Sequence, residues 1–388
     1  MEAVVVDVGT KLLKAGFAVP DQPPSMVIQT QMKRVPEDET LTADFLLENA
    51  TVDPVVRGFI RDWDAMEDLL RHVLYTGLGW EIGNEGQVLF TDPLSTPKAV
   101  REQLVQLMFE KFNISGFYAS EQAVLSLYAV GRISGCTVDV GHGKMDISSV
   151  IEGAVQHISS RRFEIGGLDL TNLFAQELGK SNPHVNLSIS DVEKLKERFA
   201  CCAEDDVAYK KVLQACPEEQ HTLPDGQVVI KIGRERYTVG EALFEPSILG
   251  TEAHGIVEQL VHCISTVSTE NHRQLLENTV LCGGTASMPA VCHTPRVDAQ
   301  TKANSRPLTC SNFSARFEDR FQKEANLSSS AIRPCLVKPP DYMPDNLTSY
   351  SAWVGGAILA KVVFPQNQHV TKADYDETGP SIVHRKCF

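Results

Sequence analysis

No stretch of the 388-residue sequence is apolar enough to span a membrane. A spanning helix needs ~20 consecutive apolar residues, whereas the C-terminal apolar run at 353–360 ends at Lys361. We also expect no signal peptide, because Glu2 and Asp7 stand where positive charge would precede its apolar segment. The ten cysteines include no C-x-x-C pair. We therefore expect a soluble protein outside the secretory route, with reduced cysteines that lie mostly in its core.

Positive charge is in deficit as well. The sequence has 36 Lys and Arg against 50 Asp and Glu, a formal net charge of −14. Such a surface repels phosphate backbones and anionic lipid, so we expect no direct binding to nucleic acid or membrane. The hydrophobic fraction of 43% and the charged fraction of 22% are ordinary globular values, which exclude a disordered or collagen-like chain. At ~150 residues per domain, the length predicts two or three domains.

A short motif occurs twice in the sequence. Val6-Asp7-Val8-Gly9-Thr10 returns as Val138-Asp139-Val140-Gly141-His142. Each copy is typical of a buried strand that enters a tight glycine turn, and a second strand-like run follows each, at 13–19 and 147–151. Helical patterns lie between the copies, at 62–74, 98–112 and 119–132. The sequence therefore predicts an α/β protein built from two similar halves.

Further elements are predicted after the second copy. A helix is expected at 168–178, and a capping box of Ser190 and Glu193 predicts a second helix at 191–203. A turn at 224–226 would join strands around Val228 and Tyr237. The remaining predictions are a strand at 278–281, helices at 317–324 and 353–360, a peripheral excursion at 33–53 and an irregular surface loop at 289–312.

Three glycine turns at strand ends, at 7–10, 139–143 and 283–285, would form one site if they converged on a polyphosphate. Glycine lets backbone N–H groups approach anionic oxygens closely. Asp7 and Asp139 would hold a hydrated Mg²⁺ across the cleft, because Mg²⁺ keeps waters and needs few carboxylates. Lys14 would supply a cation for the phosphates. Any one of these turns alone is more simply a hairpin turn, but the repetition of the aspartate favours a site.

Five segments of the sequence match a known family. They are VVVDVGTKLLKAGFA at 4–18, RDWDAMEDLL at 61–70, FYASEQAVLSLYAVGR at 117–132, ENTVLCGGT at 277–285 and KADYDETGPSIVHRKCF at 372–388. With them the chain resembles actin and the actin-related proteins, which share their fold with hexokinases and heat-shock chaperones. The resemblance implies a duplicated α/β fold with two halves around a nucleotide cleft.

The resemblance also implies where the halves begin and end. The first half would be 1–135, with a short outer subdomain at about 33–57, and the C-terminal segment 350–388 would close it. The second half would be 136–349 and would contain the irregular loop 289–312.

The family's functional positions carry over to this sequence one by one. The resemblance implies ATP or ADP with Mg²⁺ as the ligand, and the metal would be held through water by Asp7 and Asp139. The implied nucleotide-binding residues are Asp7, Gly9, Thr10, Lys14, Asp139, Gly141, Gly143, Lys196, Glu197, Gly283, Gly284 and Thr285. Without the family, Lys196 and Glu197 would be interpreted as a solvated helix face.

Several positions depart from the family pattern. Lys11 stands where the first loop of actin has a second glycine, and Val140, His142 and Asp146 replace a serine, an aspartate and a histidine of the second loop. Gln122 matches the glutamine that helps to orient the attacking water, but Asp146 replaces the histidine that assists it. Water activation needs both partners, so we expect hydrolysis to be slower by ~10²-fold. The alternatives for Asp146 are a substitute base and a plain strand-end polar residue.

The resemblance is strongest to a nuclear, chromatin-associated class of plant actin-related proteins. It implies a non-catalytic, nucleotide-binding scaffold of a SWI/SNF-type chromatin-remodelling complex, acting in chromatin-mediated regulation of gene expression and development. We expect it in the nucleus, with a cytoplasmic pool. The expected partners are a helical segment of the remodeller ATPase, held across the lower cleft near 353–360, and other actin-related subunits.

Filament formation is not expected. The segment 33–53 is shorter than the corresponding loop of actin, and Arg57 replaces a histidine below it. An open filament needs both faces of its head-to-tail interface. The alternatives are a cytoskeletal or dynactin-type subunit, and a weak ATPase related to sugar kinases.

Overall fold

The structure is a computed structural model that describes residues 2–33, 51–223, 229–288, 310–311, 313–325 and 332–387. The predicted turn at 224–226 lies outside these residues, as do nearly all of the excursion at 33–53 and of the loop at 289–312. Within the described residues, no helix is long and apolar enough to cross a membrane. The eight described cysteines are not joined in disulfides and six of them are buried, as predicted.

Within the described ranges, the strands form two main sheets and four short two-stranded ribbons. They are β1 (Val4–Val8), β2 (Leu12–Phe17), β3 (Met26–Gln29), β4 (Met32–Lys33), β5 (Thr51–Val52), β6 (Val55–Val56), β7 (Phe59–Ile60), β8 (Gln87–Asp92), β9 (Gly116–Glu121), β10 (Gly135–Val140), β11 (Met145–Ile151), β12 (Ala154–Val155), β13 (Arg161–Phe163), β14 (Cys202–Ala203), β15 (Glu219–Thr222), β16 (Val229–Ile232), β17 (Thr279–Cys282), β18 (Cys310–Ser311) and β19 (Val370–Thr371).

Helices cover these sheets. The α-helices are α1 (Trp63–Arg71), α2 (Lys98–Gln106), α3 (Gln122–Ala129), α4 (Gly167–Ser181), α5 (Ile189–Phe199), α6 (Asp206–Gln214), α7 (Glu235–Glu241), α8 (Ile256–Ser265), α9 (Thr269–Glu277), α10 (Phe313–Glu324), α11 (Leu347–Val363), α12 (Lys372–Thr378) and α13 (Val383–Lys386). Wider π-helical turns continue α1 over His72–Gly77 and α2 over Leu107–Lys111.

The two main sheets repeat one arrangement, which confirms the predicted duplication. In the first sheet, β1 pairs antiparallel with β2 and parallel with β8. In the second, β10 pairs antiparallel with β11 and parallel with β17. The register places Asp7 opposite Lys14 and Asp139 opposite Asp146. The two hairpins therefore present equivalent positions, with a lysine in the first where the second has an aspartate.

The helix α11 lies against α3 and β1. A Cβ atom on Gly355 would come within 1.8 Å of the Leu125 carbonyl oxygen, so only glycine allows the two helices to approach this closely. The indole Nε1–H of Trp353 donates to the Val5 carbonyl at 3.1 Å. The glycine in the predicted partner-binding stretch is thus used for packing within the chain.

Three predicted elements have the wrong start, cap or type, and the helices predicted at 317–324 and 353–360 begin earlier, at Phe313 and Leu347. The predicted helix at 119–132 starts as β9, and α3 begins only at Gln122. The cap of α5 is Ser188, not Ser190: its hydroxyl oxygen accepts the Asp191 N–H at 3.1 Å, and the helix ends at Phe199. Tyr237 lies in α7, because a new helix starts after Gly233, whose N–H donates to the Glu235 carboxylate at 2.8 Å.

Candidate functional site

A cavity of about 410 Å³ opens where the ends of the two hairpins face each other. Its lining includes eleven of the twelve predicted nucleotide-binding residues, namely Asp7, Gly9, Thr10, Lys14, Asp139, Gly141, Lys196, Glu197, Gly283, Gly284 and Thr285. Gly143 lies beside it, where a Cβ atom would meet the Thr10 side chain at 3.0 Å. The fold therefore brings the predicted positions together, and their ligand stays a prediction.

Asp7 is a buried carboxylate with three side-chain donors. Lys14 Nζ lies 2.9 Å from Oδ2, while the Thr91 hydroxyl at 2.6 Å and the Gln122 amide at 2.9 Å donate to Oδ1. Burial acts to raise the pKa of Asp7, but Lys14 and the two hydrogen bonds hold that pKa below its ordinary value. The carboxylate is thus ionised, and each of its oxygens accepts at least one hydrogen bond.

The second hairpin carries a different charge cluster. The Lys144 ammonium forms an ion pair with Asp146 and lies 3.6 Å from Asp139 Oδ2. Arg162 on β13 binds Asp146 with both Nε at 2.7 Å and Nη2 at 2.8 Å. Burial acts to raise the pKa of Asp146, but Lys144 and Arg162 hold it below its ordinary value. Burial keeps the pKa of Asp139 above its ordinary value, because Lys144 offsets the desolvation only in part.

The predicted pair on α5 divides between the interior and the surface. Lys196 is buried, and its Nζ donates to the Gly167 carbonyl and to the Thr171 hydroxyl, both at 2.7 Å. Burial lowers its pKa to about 8. The Glu197 side chain is 59% exposed and accepts from Lys11 Nζ at 2.8 Å. The interpretation of a solvated helix face is therefore wrong for Lys196.

Lys11 connects the turn of the first hairpin to α5 on the opposite side of the cavity. Its ammonium lies 2.8 Å from Glu197 and 2.9 Å from Glu193, both on α5. The residue that replaces a loop glycine thus turns towards the carboxylates of the opposite wall. Its cation is already paired there.

The glycine turns use part of their own hydrogen-bonding capacity. The Gly9 N–H donates to the Leu12 carbonyl at 3.0 Å, and the equivalent Gly141 N–H donates to the Lys144 carbonyl at 2.9 Å. These two amides therefore close the hairpin turns. They do not serve as the free phosphate donors that the sequence suggests at these positions.

The third loop lies directly against the second hairpin. Gly283 has φ +93°, and a Cβ atom there would lie 2.4 Å from Asp139 Oδ1. The Thr285 hydroxyl donates to the Gly141 carbonyl at 3.0 Å. Only glycine fits at position 283, since both its backbone conformation and its contacts exclude a side chain.

The hairpin of β6 and β7 crosses to the second half of the molecule. Arg57 lies in the turn between these two strands. It donates to the Gly143 carbonyl at 3.0 Å and to the Glu164 carbonyl at 2.8 Å. It also binds both carboxylate oxygens of Asp169 at the start of α4. The Gly58 N–H donates to the Thr10 hydroxyl oxygen at 2.9 Å. Arg57 thus closes one edge of the cleft.

Sequence reasoning missed Lys144, Arg162 and Thr91. The available signal for Lys144 was a basic residue inside the short turn between Gly143 and Asp146. Arg162 and Thr91 come from β13 and β8, which are distant in sequence from the hairpins that they contact. No local pattern marks them.

The carboxylates do not form a ready Mg²⁺ site. Asp7 is paired with Lys14, and Asp139 lies next to Lys144. A hydrated Mg²⁺ is held by carboxylates whose oxygens face its waters, so ammonium groups in these places do not fit it.

Comparison with known proteins gives consistent matches over the whole chain. A family profile described as Actin matches residues 1–388. The chain is 72% identical over 391 residues to Actin-related protein 7 of Arabidopsis thaliana, with both chains covered completely. It is 67% identical over 388 residues to Actin-related protein 7 of Oryza sativa subsp. japonica, again over 100% of both. It is 28% identical over 408 residues to Actin-like protein 7B of Homo sapiens, covering 100% of this chain and 88% of the human one.

Proposed function

The chain belongs to the actin family as an actin-related protein, and we propose that it is a non-catalytic, nucleotide-binding scaffold subunit of a nuclear chromatin-remodelling complex. The proposed ligand is ATP or ADP in the cavity between the hairpins. The proposed partners are a helical segment of the remodeller ATPase and other actin-related subunits. In this role the protein contributes assembly, and the complex acts on gene expression and development.

The carrying observation is that Asp146, which stands where the family has its assisting histidine, is engaged by two cations. The Gln122 amide donates to Asp7 and, at 3.3 Å, to Thr91. Asp146 is held by Lys144 and Arg162 with a depressed pKa, which makes it a poor base. These bonds leave the Gln122 carbonyl oxygen as an acceptor for a water, but that water would find no effective proton acceptor in Asp146.

Similarity to two plant proteins named Actin-related protein 7, at 72% and 67% identity, supports the actin-related part of the proposal, and the nuclear and chromatin-associated part rests on the resemblance described in the sequence analysis. The resemblance in sequence is to a class with that location. The net charge of −14 favours attachment through protein partners over direct contact with DNA.

The test is affinity purification of the full-length tagged chain from nuclei, with size fractionation and identification of the proteins that co-purify. We expect co-migration with a large assembly that contains a remodelling ATPase. Recovery with cytoplasmic motor complexes alone would contradict the proposal and favour the cytoskeletal alternative. A tagged conventional actin from the same cells is the matched control.

A further inference from the structure

The structure assigns to Lys144 the place of a resident cation beside Asp139, so that the cleft binds a nucleoside di- or triphosphate without a divalent metal ion. This inference rests on the proposed nucleotide site. Three observations carry it: the position of the Lys144 ammonium, the packing that holds it there, and the balance of charge around it.

Lys144 occupies the position from which a cation would face both the cavity and Asp139. It lines the cavity and is 6% exposed. Its Nζ lies 3.6 Å from Asp139 Oδ2 and is paired with Asp146. Asp139 is one of the two carboxylates that the sequence predicts as metal-ordering. In this chain the positive charge next to Asp139 is therefore the Lys144 side chain.

The packing around Lys144 prevents it from swinging away. A Cβ atom on Gly58 would lie 2.7 Å from Lys144 Cε and 2.8 Å from Cδ, so the β6–β7 turn rests on the lysine stem. The Lys144 carbonyl accepts the Gly141 N–H at 2.9 Å, which fixes its backbone. Next to it, Arg162 lies 4.5 Å from the ring centre of Phe59 on the same hairpin. The cation is thus part of the packed structure.

The charges around the hairpins already balance. Asp7, Asp139 and Asp146 are the acids, and the cations in contact with them are Lys14, Lys144 and Arg162. A divalent ion placed between Asp7 and Asp139 would meet like charges within a partly buried site, where repulsion is stronger than in water. An incoming polyphosphate would instead find two lysines, and ammonium groups bind phosphate oxygens well.

The experiment measures the dissociation constants of ADP and of ATP by titration calorimetry on the full chain, freed of nucleotide, in excess Mg²⁺ and in EDTA. We expect the two buffers to agree within about threefold for each nucleotide. Binding that weakens by about tenfold or more in EDTA would overturn the inference and leave the nucleotide site intact. Absence of binding in both buffers would overturn the proposed nucleotide site itself, and the inference with it.

Two variants test whether binding without a metal ion depends on Lys144. Lys144→Met keeps the length of the side chain and removes its charge, and we expect it to weaken binding in EDTA by about tenfold or more, with recovery in Mg²⁺. Lys323→Met removes an exposed lysine paired with Asp319 on α10 and is the matched control. Wild-type affinity of Lys144→Met in EDTA would overturn the role of Lys144. Thermal melting checks that each variant folds, and the wild-type comparison decides the inference if Lys144→Met does not.

Discussion

Gly283 is the residue at which the third loop depends most on the absence of a side chain. Its φ is +93°, and a Cβ atom would lie 2.3 Å from the Val140 carbonyl oxygen. Gly283→Ala is expected to lower the free energy of unfolding by about 2 kcal/mol or more, because it combines a left-handed backbone with close contacts. Urea denaturation measures this loss.

Gly284 offers a matched control one residue later. Its φ is −62°, and a Cβ atom would meet nothing within 4 Å. Gly284→Ala should therefore change the free energy of unfolding by no more than about 0.5 kcal/mol. Equal losses in the two variants would show that the loop tolerates a side chain at both positions.

Because of Lys196, we expect the free energy of unfolding to change with pH in the alkaline range. Burial lowers its pKa from 10.5 to about 8. Between these values the unfolded chain binds more protons than the folded one, so stability rises with pH across this window. From about pH 7 to about pH 9.5, this contribution is about 2 kcal/mol.

The contribution of Lys196 is measured as a difference between wild type and variant. We expect Lys196→Met to lose the rise, whereas Lys194→Met, which removes a surface ammonium with 70% exposure, should keep the wild-type slope. Urea denaturation at several pH values gives both slopes. Parallel curves for the wild type and Lys196→Met would contradict a lowered pKa.

At the scale of elements, the β6–β7 hairpin holds the cleft closed through Arg57. The residue has φ +48°, which asparagine tolerates better than other side chains with a Cβ atom. Arg57→Asn should keep the turn and remove the hydrogen bonds to Gly143, Glu164 and Asp169. We expect faster amide hydrogen exchange in this hairpin and at the start of α4, with a stability loss of about 1 kcal/mol.

The neighbouring Arg61 is exposed and provides the control. Arg61→Asn should leave hydrogen exchange in α4 unchanged. If Arg57→Asn also leaves it unchanged, the contacts from Arg57 do not close the cleft.

The repeated hairpins were predictable from the sequence because each signal is local. A β-branched run, an aspartate and a turn glycine lie within five residues, and the structure has both hairpins where the pattern places them. The cap of α5 was not fixed in this way, since Ser188 and Ser190 both precede an acidic residue by three positions. The choice depends on where the chain enters the helix. Tertiary packing decides that point.

The candidate site was predictable only in part, for a similar reason. The repeated motif marks Asp7 and Asp139 in the sequence. The partners that set their charge state come from several elements. Thr91 lies on β8 and Gln122 starts α3, while the effect of Lys144 depends on Asp139 and Asp146 lying opposite each other. The register of β10 and β11 brings Asp139 and Asp146 together. Sequence spacing alone does not.

At the scale of the whole molecule, we expect the purified chain to remain monomeric in salts that polymerise actin. The outer segment at 33–53 is short, and a net charge of −14 opposes self-association. High-speed sedimentation measures this directly, with conventional actin as the control that must pellet. Sedimenting filaments of the pure chain would favour the cytoskeletal alternative.

The most direct test of the central claim is a single-turnover measurement of ATP bound to the pure full-length chain. The account predicts that the cleft retains its nucleotide as ATP, with hydrolysis at least ~10²-fold slower than in polymerising actin, because Asp146 is held by Lys144 and Arg162 and cannot serve as a base. Chromatography of the bound nucleotide over time gives the rate. Rapid conversion to ADP that Gln122→Ala abolishes would contradict the account and identify the protein as a working ATPase.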